Sequence, residues 1–256
     1  MALRRGSKVG IGLLVLLLVV LGVLVIVDRV AVGEAETQIA KQTHKELTAR
    51  EISTPSDPKV SISGFPFLTQ VLAGKYEKIT IDIAQPKINN VQLGTLDVVA
   101  TTVRADAQSV LNGTGDVVAD KITGTATITW DNVRPLLELA GLPNGVDPSK
   151  VDLEVVNKQI ELRVPFTISG STFTLIAKGT LVVESGAVQV RLDDVSSDAG
   201  SAPAFVRNLI KRYQKQLTVR IKIPAMPFKL VVERVESTKT GLTMIASGAN
   251  VKLSST

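Results

Sequence analysis

Few residues in this chain of 256 residues could carry out catalysis. His44 is its single histidine and there is no cysteine, so little is available for imidazole catalysis, a thiolate nucleophile or a zinc site. The sequence also lacks the G-x-S-x-G, Walker-type, H-E-x-x-H and dinucleotide-binding patterns. We therefore predict a protein that is not an enzyme and needs no cofactor or metal. An unrecognised hydrolase or transferase is the alternative.

The carboxylates that cluster in the sequence do not form a recognisable site either. Asp193, Asp194 and Asp198 lie together in "RLDDVSSD", but the alternation and the closing glutamate of a calcium loop are missing. Glu233 and Glu236 lie in the strand-like stretch "VVERVES". A glycosidase needs two carboxylates that face each other across a cleft, and this pattern does not indicate one. We interpret all five as solvated charges.

Apolar residues near prolines indicate a different chemistry, the binding of an apolar ligand. Phe65 and Phe67 flank a proline in "GFPFLTQVLAG", and Met226 and Phe228 lie in "KIPAMPFKL". Such side chains are costly to leave in water, so they close a core, line a groove or enter a bilayer. In an extended segment Phe65 and Phe67 would point to the same side, so we expect both to behave alike, and we favour the groove.

The amino terminus has the pattern of a membrane anchor. A basic flank over residues 1–8 precedes nineteen apolar residues and glycines, Val9 to Val27. A spanning helix needs about twenty such residues, whereas the apolar region of a secretory signal has only about 7–15. We predict a cytoplasmic flank (1–8), a transmembrane anchor (9–27) and an extracytoplasmic domain (28–256). A cleaved signal is the alternative, and a buried helix is a poor one because the run is apolar on every face.

The charge of the chain argues against nucleic acid as a partner. The formal net charge is +5, and without the three basic residues of the flank 26 basic residues stand against 24 acidic ones. A nucleic-acid binder would show a strong basic excess.

Helical and strand patterns then alternate along the exported part. From Asp28 to about Glu51 an apolar face of Val32, Ala35, Ile39 and Ala40 predicts a helix that rises from the membrane and packs on the domain. Beyond it, stretches such as "KITIDI", "KITGTATITW", "QIELRV", "AVQVRL" and "TVRIKI" alternate apolar and polar residues, as half-buried antiparallel strands do.

Two further helices interrupt these strands. One is predicted in "WDNVRPLLELAGLP", where Pro135 suits the first turn and Gly141 the end. The other, in "SAPAFVRNLIKRYQKQL", carries a stripe of Arg207, Lys211 and Lys215. This stripe suits an anionic membrane surface, although a core-packed helix with a solvated basic side would look the same.

Three segments of the chain resemble the LmeA-like phospholipid-binding family of actinobacterial cell-envelope proteins. They are "VSISGFPFLTQVLAGKYEKITIDI", "VVADKITGTATITWDNVRPLL" and "IKIPAMPFKLVVERV" with the following "GLTMIASGANVKLSS". The G-F-P-F-L-T-Q stretch is the most specific of them. Ala225-Met226 and Lys229 stand where the family more often has Pro-Leu and Gly.

The resemblance implies an α+β fold, in which a long curved antiparallel sheet wraps a helix as in tubular lipid-binding proteins. It implies binding of phospholipids, including inositol phospholipids, and a part in envelope lipid or lipoglycan metabolism or transport at the cell membrane. A structural adaptor for an envelope enzyme is the alternative. The residues expected to contact lipid are Phe65, Phe67, Leu68, Val71, Leu72, Trp130, Leu136, Met226 and Phe228, and those expected to contact headgroups or the membrane are Arg207, Lys211 and Lys215.

Overall fold

The structure is a computed structural model that describes most of the chain. It has an α+β fold, in which a long amino-terminal helix is followed by antiparallel strands. The described residues are 5–88, 91–106, 117–133, 150–156, 159–168, 171–184, 187–197, 218–222 and 230–252. The elements are α1 (Arg5–Ala49), β1 (Lys59–Ser63), α2 (Phe67–Ala73), β2 (Lys75–Ala84), β3 (Lys87–Ile88), β4 (Val91–Gln92), β5 (Thr95–Arg104), β6 (Val118–Thr129), β7 (Asp152–Val156), β8 (Gln159–Ile168), β9 (Ser171–Glu184), β10 (Ala187–Ser197), β11 (Thr218–Lys222), β12 (Val231–Thr238) and β13 (Gly241–Lys252).

Helix α1 joins the predicted anchor and the predicted domain helix into one unbroken helix of 45 residues. The charged residues that end the apolar run, Asp28 and Arg29, do not interrupt it, because neither residue type breaks a helix as proline does. Every residue from Leu14 to Val27 is exposed, whereas Val32 and Ala35 are buried. The predicted packing of the second half of this helix on the domain is confirmed.

Hydrogen bonding divides the strands into two larger sheets and one hairpin. The six-stranded sheet has the order β1-β2-β5-β6-β13-β12, the five-stranded sheet has the order β11-β10-β9-β8-β7, and β3 pairs with β4. All of these pairs are antiparallel. The strands predicted from period-two alternation are confirmed as β2, β6, β8, β10 and β11. Among the described strands β1 and β12 are edges, so the sheet does not close into a barrel.

The main core lies between α1, α2 and the six-stranded sheet. The buried stripe of α1 contributes Val32 and Ala35 to it. Near them, the Glu36 carboxylate accepts a hydrogen bond from the backbone N–H of Ile62 at 2.8 Å, which occupies a donor of the edge strand β1. The sheet contributes Ile62, Tyr76, Ile79, Ala100, Val103, Ala119, Ile122 and Val251.

A second, smaller core connects the two larger sheets. Its buried members are Val133, Leu153 and Ile160, which follow β6 or lie in β7 and β8. Side chains from both sheets pack against these three, so the sheets share an apolar layer, although no strand ladder joins them within the described ranges. The packed side chains are Ile128, Trp130, Leu162, Leu181 and Leu242.

Candidate functional site

The G-F-P-F-L-T-Q stretch forms the connection between β1 and β2, and helix α2 lies within it. Gly64 has a φ of +101°, in the region that favours glycine, and the Phe65–Pro66 peptide bond is cis. Pro66 precedes the first helical residue, and Gly74 ends the helix in the left-handed conformation. Leu68, Val71 and Leu72, which are spaced at i, i+3 and i+4, all lie on this helix of seven residues.

The two phenylalanines of this stretch occupy opposite environments. Phe67 is 5% exposed, and its ring centroid lies 6.3 Å from that of Tyr76 in the main core. Phe65 is 54% exposed, and the Arg29 guanidinium lies 5.1 Å from the centroid of its ring. The expectation that both behave alike is wrong, because the backbone turns into a helix at Phe67 and strand alternation no longer applies.

Helix α2 has one face in the core and one face outward. Leu68 and Val71 are half-buried against the main core, while Leu72 is 89% exposed. Thr69 and Ala73 are exposed beside Leu72. Leu68 and Val71 therefore lie at the edge of the face that packs on the core, whereas Leu72 lies on the outward face.

Asp28, the first residue after the apolar run, holds the beginning of α2. Its carboxylate Oδ1 accepts a hydrogen bond at 2.8 Å from the backbone N–H of Leu68, one of the donors that the first turn of a helix leaves unpaired. Asp28 is only 2% exposed, and its Oδ2 is buried with no hydrogen-bond partner in the described part of the chain. A negative side chain is also favourable at this end of a helix.

From its position in the sequence, Asp28 was assigned only as the first residue after the predicted anchor. A signal for its second role was present in the spacing, since Asp28, Val32, Ala35 and Ile39 follow one another at i, i+4, i+7 and i+11. This spacing places Asp28 on the face of α1 that packs on the domain.

A second buried polar residue, Gln70, fixes α2 to the strands on either side. Its Nε2 donates to the carbonyl of Ser63 at 3.3 Å, and its Oε1 accepts from the N–H of Glu77 at 2.9 Å. Gln70 is 8% exposed. A Cβ at Gly64 would lie 2.7 Å from the Gln70 Nε2, so the close approach of Gln70 requires a glycine there.

Two open depressions flank α2 on the surface. One, of about 520 Å³, is lined by Leu72 and by Arg104 near the end of β5. The other, of about 620 Å³, is lined by Thr69 and Gln70 together with residues of β2. Arg104 is already paired with Asp120, so the cation beside Leu72 is locally neutralised.

The model of the LmeA-like phospholipid-binding family matches residues 26–247. The chain belongs to this family. The match begins two residues before Asp28 and includes α2 and nearly all of the strands. No curated protein matches the chain closely enough to count as a relative.

The remaining residues that the sequence indicated for lipid contact fall into two groups in this LmeA-like protein. Trp130 is described: it is half-buried against the second core, and its indole Nε1 donates to the carbonyl of Thr238 at 3.1 Å. Lipid contact by Trp130 stays a prediction. The others lie outside the described residues: Leu136, Met226, Phe228, Arg207, Lys211 and Lys215.

The carboxylates that cluster in "RLDDVSSD" and "VVERVES" lie on the surface of the LmeA-like domain wherever their side chains are described. Glu233 accepts a hydrogen bond from Ser247, and Glu236 lies 2.8 Å from the Arg234 guanidinium. Asp194 is exposed beside a register shift in β10, and Asp198 lies outside the described residues. Within the described ranges no three His, Cys, Asp or Glu side chains lie close enough together to hold a metal ion.

Several other titratable groups of the described domain lie in ion pairs or in the core. Glu161, whose side chain is 6% exposed, lies 2.8 Å from the Arg163 guanidinium and 3.7 Å from the Lys178 ammonium. Its hydrogen bond and negative charge raise the pKa of Arg163. Burial raises the pKa of the Tyr76 phenol, and the charge of Asp106 raises it further. His44 Nδ1 lies 3.1 Å from Asp57 Oδ1 near the end of α1, on the surface.

Proposed function

We propose that this protein is a membrane-anchored phospholipid-binding protein whose bulk lies outside the cytoplasm. The observation that carries the proposal is that α1 is one unbroken helix. Its first half is apolar and exposed from Leu14 to Val27, and its second half packs in the core of a phospholipid-binding domain. The nineteen residues 9–27 would extend about 28 Å as a helix, close to the roughly 30 Å of a bilayer's hydrocarbon core. The basic flank then belongs on the cytoplasmic side.

The same continuity favours an anchor over a cleaved signal. The small residues that could serve a signal peptidase lie in "RVAVGEAE", residues 29–36, inside the part of α1 that packs on the sheet. Cleavage there would separate Asp28 from the domain and remove its hydrogen bond to Leu68. An intact α1 keeps both the membrane span and the core contacts.

The ligand we propose is a phospholipid, with inositol phospholipids included, and the role is envelope lipid or lipoglycan metabolism or transport. The family match supports lipid binding. The lipid-contact residues proposed are Phe65, Leu68, Val71, Leu72, Trp130, Leu136, Met226 and Phe228, with Arg207, Lys211 and Lys215 toward the headgroups. Phe67 is left out of this set because its side chain is buried in the core.

An adaptor for an envelope enzyme is the second candidate. It is favoured by the same exposed side chains, Phe65 and Leu72, which a protein partner could cover as well as a lipid could. The two candidates differ in what the purified chain carries with it.

Lipid binding is tested by native mass spectrometry of the full chain released from detergent. We expect bound phospholipid at a defined stoichiometry, enriched relative to an unrelated single-span protein purified in parallel. Absence of phospholipid, with an envelope protein co-purifying instead, would favour the adaptor. Topology is tested with a reporter fused after Thr256, which should be active only outside the cytoplasm. Activity inside would refute the proposed orientation.

A further inference from the structure

We infer that α2 is a second membrane contact, in which Phe65 and Leu72 enter the interface of the bilayer that α1 spans and Asp28 positions them there. The inference, which rests on the proposed membrane anchor, goes beyond lipid binding. It assigns the outward face of α2 to the membrane surface and assigns Asp28 the role of a positioning residue.

The first observation is that α2 is held firmly although it is only seven residues long. Asp28 binds its first turn from α1, Gln70 binds both flanking strands, and Phe67 is packed in the core. A helix this short has little stability of its own, so these contacts determine where it lies. Its outward residues therefore cannot turn inward without breaking them.

The second observation is that this fixed element presents large apolar side chains to the outside. Leu72 is 89% exposed and Phe65 is 54% exposed, with the exposed ring of Pro66 between Phe65 and the helix. Exposed apolar residues that a rigid scaffold holds outward are typical of a contact surface. Phe and Leu on such a surface suit the boundary between lipid headgroups and acyl chains.

The third observation gives the position of α2 along the axis of α1, next to the end of the proposed membrane span. This position favours the bilayer as the partner of α2. Asp28 follows Val27, the last apolar residue of the anchor, at a helical rise of about 1.5 Å. Because Asp28 Oδ1 lies 2.8 Å from the N–H of Leu68, the first turn of α2 lies beside the point where α1 leaves the hydrocarbon.

The position of Arg29 also places Phe65 next to the end of the proposed membrane span. Its guanidinium lies 5.1 Å from the centroid of the Phe65 ring, so a cation and an aromatic ring share one position just beyond the apolar run. Arginine near the end of a spanning helix places its charge at the headgroups while its stem stays in apolar surroundings. Closeness to the end of the membrane span is expected of a contact with the bilayer, whereas a contact with a protein partner does not require it.

The experiment uses the full chain in lipid nanodiscs of neutral and anionic phospholipids. The sequence contains no cysteine, so the single variant L72C accepts one environment-sensitive fluorophore without further changes. The matched control is V231C: Val231 is also apolar and 64% exposed, but it lies on β12, at the opposite edge of the six-stranded sheet from β1. Five strand spacings separate these edges by about 24 Å.

We expect the label at Leu72 to be shifted to the blue and quenched several-fold more strongly by lipids spin-labelled near the headgroup than the label at Val231. Equal, weak quenching at both positions would overturn the inference.

The role of Asp28 is tested in the L72C background. Asp28→Asn keeps an oxygen that can accept from the Leu68 N–H, whereas Asp28→Ala removes it. Quenching should be retained in D28N and fall toward the V231C level in D28A, with both variants folded by circular dichroism. Undiminished quenching in a folded D28A variant would overturn the positioning role. If D28A does not fold, the membrane contact is still decided by comparing the quenching of the labels in L72C and V231C. The positioning role is then decided by D28N: a strong loss of quenching in a folded D28N variant would show that a hydrogen-bond acceptor at residue 28 does not position α2.

Native mass spectrometry on the same samples separates this inference from the proposed function. Bound phospholipid with an unquenched Leu72 label overturns the membrane contact and leaves lipid binding standing. A quenched label without bound phospholipid supports the membrane contact and overturns the lipid-binding proposal.

Discussion

Phe65 and Phe67 are the same residue type on either side of one proline, and the fold uses them in opposite ways. Phe67 is packed against Tyr76 between α1 and the sheet, while Phe65 lies outside beneath the Arg29 guanidinium. The difference arises from the backbone, which leaves the extended conformation of β1 at Gly64 and enters α2 at Phe67. Two apolar residues of one short stretch can therefore serve stability and surface contact separately.

The largest expected effect is that of Phe67→Ala. Removing a buried phenylalanine side chain leaves a cavity and costs roughly 3–5 kcal/mol of unfolding free energy. Denaturant unfolding of the full chain in detergent measures it. A variant as stable as the parent chain would show that Phe67 is not a core residue and would remove the contrast with Phe65.

The next largest effect is expected at the residue that makes the two phenylalanines diverge. Gly64→Ala would place a Cβ 2.7 Å from the Gln70 Nε2 and 2.9 Å from the Glu77 carboxyl, at a φ that alanine rarely adopts. We expect a loss of about 1–3 kcal/mol of unfolding free energy. Substitution of Gly124, where a Cβ would meet nothing within 4 Å, is the matched control. Equal losses at both glycines would contradict the strained turn.

A smaller effect, confined to alkaline pH, tests the surroundings of Phe67. The pKa of Tyr76, its ring partner, is raised above its ordinary value of 10.0, first by burial and then by Asp106. Folding therefore favours the protonated phenol, and this contribution is complete below pH 10 and lost as the pH rises through the folded-state pKa. Tyr76→Phe has no proton to lose, so its stability should fall less steeply above pH 10. Parallel declines in both chains would contradict the prediction.

The smallest effect on stability is expected at Phe65. Its ring is more than half exposed, so Phe65→Ala should change the unfolding free energy by no more than about 1 kcal/mol. The contact with Arg29 is worth little at an exposed site. A loss comparable with that of F67A would place Phe65 in the core after all.

The sequence predicted the local elements well because their signals are local. The spacing of Val32, Ala35 and Ile39 indicated the packed half of α1, and alternation indicated β2 and β6. It did not indicate how the strands divide into sheets. That division depends on pairings between residues that are far apart in the chain, such as Ala126 and Met244. The alternation of apolar and polar residues within one strand does not indicate which other strand it pairs with.

The site was predicted only in part for the same reason. The apolar stretch was recognised, but the environments of Phe65 and Phe67 depend on a turn whose conformation the residue types do not settle. The contact between Asp28 and Leu68 spans 40 residues of sequence. A carboxylate after an apolar run is typical of the end of a membrane segment. The residues near Asp28 in the sequence do not indicate that its hydrogen-bond partner is the backbone N–H of Leu68.

The unbroken course of α1 has a mechanical consequence. In the membrane-anchored protein that we propose, no break in α1 separates the span from the core, so the domain would tilt and rotate together with the span. The part of the helix from Asp28 to Ala49 measures about 32 Å at 1.5 Å per residue, which sets a constant stand-off for its far end. On the proposed anchoring, the lipid-binding domain would stay at a constant distance from the membrane surface, and a lipid destined for a more distant layer would have to be passed to a second carrier.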